Sequence, residues 1–101
     1  MRNRKNPENR KKEILEAAIR LSKKIGYSHI TRDGVAEKAG VSFALVSFYY
    51  GTIEKLKAAV LKEAIGEEII EIIAQGLVRK DKQTARLPQD LKDKVLQHLS
   101  K

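Results

Sequence analysis

Thr31-Arg32-Asp33-Gly34-Val35-Ala36-Glu37-Lys38-Ala39-Gly40-Val41-Ser42-Phe43-Ala44-Leu45-Val46-Ser47-Phe48-Tyr49-Tyr50 reads as two short helices separated by a turn that begins with Gly40. Each helix is opened by a hydroxyl residue, Thr31 or Ser42, whose side-chain oxygen suits the unpaired amides of a first helical turn. Gly40 permits the tight turn, and Val41 anchors it to a core. Ala36 and Ala39 are small, as two closely crossing helices require. This spacing is that of a helix-turn-helix. With Leu45 and Val46 turned inward, the second helix presents Phe43, Ala44 and Ser47 outward. Such a helix has the size of a DNA major groove.

The flanking sequence predicts further helices. Upstream, Asn6-Pro7-Glu8 predicts a helix start, and Ile14, Ala18, Leu21 and Ile25 share one face, widened by Leu15 and Ile19. Gly26 predicts a C-terminal cap, and Tyr27-Ser28-His29-Ile30 a linker. Downstream, Gly51 ends the short helix and Thr52 caps a long one, with Glu54 in its first turn. Its apolar face (Leu56, Val60, Ala64, Ile69 or Ile70, Ile73) runs to about Gly76, and Gly66 weakens it by roughly 1 kcal/mol without forbidding it. A polar loop from Arg79 to Arg86 leads to a last helix from around Pro88, with Leu91, Val95 and Leu99 on one face. The expectation is an all-α helical bundle. It divides into a basic arm and helix start at 1–9, a helix-turn-helix domain at 10–56 and a helical dimerisation extension at 57–101.

The chain has 101 residues, 42% hydrophobic and 34% charged, enough for one small core. No apolar run approaches the ~18 residues of a membrane span, so no membrane partner is expected. The absence of Cys excludes disulfides, iron–sulfur clusters and thiolate nucleophiles and fits a reducing cytoplasm. His29 and His98 stand far apart without a motif, the carboxylates are scattered, and the glycines form no phosphate loop. No enzyme, metal site or cofactor is therefore expected. The net charge of +8 is concentrated in residues 1–12, which hold six basic side chains against Glu8. That arm suits a polyanion, although charge alone leaves a solubilising tail open.

Thr31 through Leu56 resembles the DNA-binding domain of the tetracycline-repressor family of bacterial regulators. That family opens its second helix with Thr, continues with Ile or Val, Ala, two variable residues and Ala-Gly-Val-Ser, and ends its recognition helix in an aromatic pair. Here the pattern reads Val35-Ala36-Glu37-Lys38-Ala39-Gly40-Val41-Ser42, then Val46-Ser47-Phe48-Tyr49-Tyr50-Gly51-Thr52-Ile53-Glu54-Lys55-Leu56. Ile14-Leu15-Glu16-Ala17-Ala18, with Gly26-Tyr27, is similar to the family's first helix. The likeness spans about residues 10–60.

The resemblance implies a sequence-specific regulator of transcription, cytoplasmic and nucleoid-associated, with double-stranded DNA as its partner. Thr31, Arg32, Ser42, Ser47 and Tyr49 are the expected phosphate contacts; Phe43, Ala44 and Ser47 lie nearest the bases. Phe48 and Lys55 complete the candidate set, and Tyr49 and Tyr50 have a second reading as core. Three positions depart from the family. Ile53 replaces a phosphate-binding Lys, Ser47 a frequent Tyr, and Phe43 a residue more often basic or polar. Arg2, Arg4 and Lys5 would compensate from the adjacent minor groove. Only 45 residues follow Leu56, too few to wall a ligand cavity of several hundred Å3, so no small-molecule effector is expected. Ile65, Ile69, Ile70, Ile72, Ile73, Leu77 and the face from Leu91 to Leu99 exceed the needs of one bundle, which points to a homodimer. A last helix folded back on the fourth would instead leave a monomer. The apolar Phe43 and Ile53 also fit a different class, a protein-interaction module that binds RNA polymerase or another regulator.

Overall fold

The computed structural model describes residues 7–100. Among the described residues six α-helices follow one another: α1 (Pro7–Ile25), α2 (Arg32–Ala39), α3 (Phe43–Tyr50), α4 (Ile53–Glu67), α5 (Ile70–Val78) and α6 (Gln89–Leu99), with short 3-10 turns at Tyr27–His29 and Lys82–Thr84. The chain is an all-α bundle with no strand among the described residues. No helix among them is long and apolar enough to cross a membrane. The Thr31, Ser42 and Thr52 hydroxyls accept the amides of Gly34, Leu45 and Lys55 at 3.0–3.2 Å, so all three expected caps form.

One core joins the two halves of the chain. Ile14, Ala18, Val35, Val46 and Leu56 share it with Leu61, Ala64, Ile72, Ile73, Leu91 and Val95. The inner face of α1 is rotated from the expected stripe: Ser22 is buried and Ile25 is 43% exposed. Ser22 tolerates burial because its hydroxyl donates to the Ala18 carbonyl at 2.8 Å. Gly26 ends α1 at φ 100° and ψ 135°, outside the left-handed cap region, while its amide still closes on Ser22 at 2.9 Å. Tyr27, 2% exposed, donates its hydroxyl to Asp81 Oδ2 at 2.9 Å, tying the linker to the loop after α5.

The long fourth helix is two helices. The chain breaks at Glu68, whose φ of 56° is left-handed, and the Ile69 amide closes back on the Ala64 carbonyl at 2.8 Å. The break turns α5 back against α4 and buries Ile72, Ile73 and Ala74. A straight helix would have carried those three side chains away from the core, so their burial offsets the left-handed strain of about 1 kcal/mol. The last helix then packs on α5, the C-terminal part of the expected fourth helix, so it folds back as the monomer alternative required. Most of the surplus apolar side chains are thus buried by the chain itself: Ile72, Ile73, Leu91 and Val95 fully, with Ile65, Ile69, Ile70 and Leu77 half-buried against them.

Candidate nucleic-acid interface

The α2–α3 pair is held at both ends. Gly40, left-handed at φ 73°, ends α2, and the Val41 amide closes on the Ala36 carbonyl at 3.0 Å. At the other end Arg32 Nη1 donates to Ser47 Oγ at 3.1 Å and to the Gly51 carbonyl at 3.0 Å. The same guanidinium lies 4.9 Å from the centre of the Phe43 ring. Arg32, expected at a phosphate, therefore clamps the start of α2 along the whole length of α3. Ser47, expected at a base edge, is half-buried with its hydroxyl engaged by that clamp.

What α3 offers to solvent is apolar. Phe43 is 43% exposed, Phe48 79% exposed, and Ala44 lies exposed beside them on the same face. Tyr49 is half-buried against the core, its ring edge-on to Phe48 at 5.1 Å. Tyr50 packs against the core and donates its hydroxyl to the Lys11 carbonyl at 2.9 Å. Burial, then the charge of Glu63, pushes the Tyr50 phenol up to about 12. Tyr50 thus takes the place in the core that its second reading gives it, and it bridges α3 to the first turns of α1. No local pattern reports it, because the partner is a backbone carbonyl 39 positions away.

The rim of α3 carries hydrogen-bond donors and cations. Arg32 brings the opening of α2 beside Gly51, which immediately precedes the Thr52 cap of α4. The N-terminal turns of two helices therefore adjoin the end of α3, and Lys55, exposed, passes its aliphatic chain over Gly51. Thr31 and Ser42 are exposed at their caps, and Lys11 and Lys12 are exposed on α1. Arg2, Arg4 and Lys5 lie outside the described residues. No cluster of three or more metal-ligating side chains occurs among the described residues.

An open groove of about 740 Å3 runs between α1 and α4, lined by Lys12, Leu15, Glu16, Tyr50 and Glu63 among others. There a hydrogen bond to Glu67, then burial and the charges of Glu67 and Glu16, hold the Glu63 carboxyl above its usual range, against Lys12. A raised folded-state pKa means that Glu63 favours the fold only while protonated, and its ionised form costs stability once the pH rises through that value. Glu63→Gln is expected to raise stability at neutral pH by about 0.3 kcal/mol, as for other like-charge pairs one helical turn apart. Thermal unfolding should show that gain at pH 7 and none near pH 3; a loss at pH 7 would contradict it.

No protein-family model matches the chain, and neither does any curated protein or solved structure.

Proposed function

We propose that the chain is a sequence-specific double-stranded-DNA-binding regulator of transcription, as the resemblance to the tetracycline-repressor family implies, and that it acts as a homodimer. The observation that carries this reading is the exposed face of α3, Phe43, Ala44 and Phe48, on a helix clamped by Arg32 and capped by Ser42. Large apolar side chains held in water on a rigid eight-residue helix suit contact with thymine methyls and base edges in a major groove. The amides opening α2 and α4, with Lys55 and the Thr31 and Ser42 hydroxyls, would hold the phosphates on either side. In this reading Arg32 and Ser47 act indirectly, by setting the pose of α3.

Selection from a pool of random duplexes tests it. One sequence should be enriched, and affinity should fall steeply between about 50 and 200 mM salt as condensed counterions are released. No enrichment at low salt would overturn the proposal. The exposed face of α3 carries no charged or amide side chain, which favours a second reading, a protein partner with an apolar pocket. That contact would hardly respond to salt.

A further inference from the structure

The large apolar side chains left in water away from α3 include two that face one groove. The groove, about 290 Å3, lies where the C-terminal ends of α5 and α6 meet. Ala74, 2% exposed, forms its floor; Val78, 64% exposed, and Leu99, 42% exposed, rise from its walls. Glu71, Ala74, Gln75 and Val78 form a single stripe along α5, at positions i, i+3, i+4 and i+7. Arg79 follows at the end of that stripe. One stripe therefore carries an acid at one end, a base at the other, and a small residue and a protruding apolar one between them.

We infer that this face joins two copies of the chain about a two-fold axis, with their α5 helices antiparallel. Antiparallel alignment sets Glu71 of each copy near Arg79 of the other and lowers each Val78 toward the other copy's Ala74. Both knob and hole, and both charges, are present on the same surface. That is what an isologous interface requires, whereas a parallel alignment would oppose like charges. No residue of α2 or α3 takes part, so Phe43 and Phe48 stay open in both copies. The inference deepens the dimeric part of the proposed function and rests on it, but its test needs no DNA.

Sedimentation of the full chain alone should show a two-chain species. Val78→Lys should weaken association by ~tenfold or more, as loss of a central apolar anchor does. At concentrations low enough for both chains to be monomeric its unfolding midpoint should not change, because Val78 is exposed and a cation suits a helix C-terminus. Glu71→Arg should weaken association, and Glu71→Arg with Arg79→Glu should restore it. Arg79 also lies 4.0 Å from Asp81, so unfolding is followed in parallel, and Arg79→Gln replaces any variant that does not fold. A wild-type chain that stays monomeric, a Val78→Lys variant as dimeric as wild type, or a folded charge swap without recovery would each overturn the interface. A monomer that still selects one duplex would leave the DNA reading standing. A dimer that selects none would do the reverse.

Discussion

Phe48→Ala is expected to weaken binding to the selected duplex by ~30-fold, about 2 kcal/mol, while leaving the thermal unfolding midpoint in place. The separation follows from exposure. At 79% accessible, Phe48 contributes little to the core, and its ring lies edge-on to the neighbouring Tyr49. Lys55→Ala provides the contrast, because a phosphate contact carries no sequence information. It should weaken selected and random duplexes alike and lower the salt slope by about 1. Binding curves for both variants on both duplexes, at two salt concentrations, distinguish the roles. Equal losses for Phe48→Ala on selected and random duplexes would remove α3 from base recognition.

Leu61→Ala is expected to cost about 3 kcal/mol, the usual penalty for an emptied leucine site in a closed core. Its neighbour makes the experiment more informative. A Cβ placed on Gly76 would lie 2.6 Å from Leu61 Cδ2 and 2.9 Å from Cδ1, and Leu61 is fully buried with nowhere to retreat. Gly76→Ala should therefore destabilise the wild-type chain, its packing clash outweighing the ~1 kcal/mol that Ala gains over Gly in a helix. In the Leu61→Ala background the clash disappears, so the same change should become stabilising. Denaturant unfolding of the four chains gives the coupling directly. An additive result would mean that α4 and α5 cross farther apart than Gly76 implies.

The interface residues divide along a similar line. Ala44 and Phe48 lie one turn apart on a short helix, opposite Val46, so their exposure follows from placing Val46 inward, whereas Phe43 is the residue that opens the helix. The roles of Arg32, Ser47 and Tyr50 depend on pairings across 15 to 39 positions, which no local spacing encodes. A guanidinium at the start of α2 reads as a phosphate contact, and only the fold adds that its Nη1 also reaches Ser47 and Gly51.

Local chemistry by itself determined the capped starts and the glycine-ended stops: Thr31, Ser42 and Thr52 each satisfy an amide three residues on, and Gly40 and Gly51 take positive φ at little cost. The all-α character and the helix-turn-helix spacing follow from those signals. Only the tertiary structure decided where α4 and α5 end. Glu68 and Lys80, at φ 56° and 60°, occupy left-handed positions like that of Gly40, while Gly66 lies inside α4 with open space around it. A non-glycine residue takes that conformation when the buried surface gained beyond the bend outweighs the local strain. Here that surface is Ile72, Ile73, Leu91 and Val95, side chains whose sequence pattern served a straight helix and an exposed face equally well.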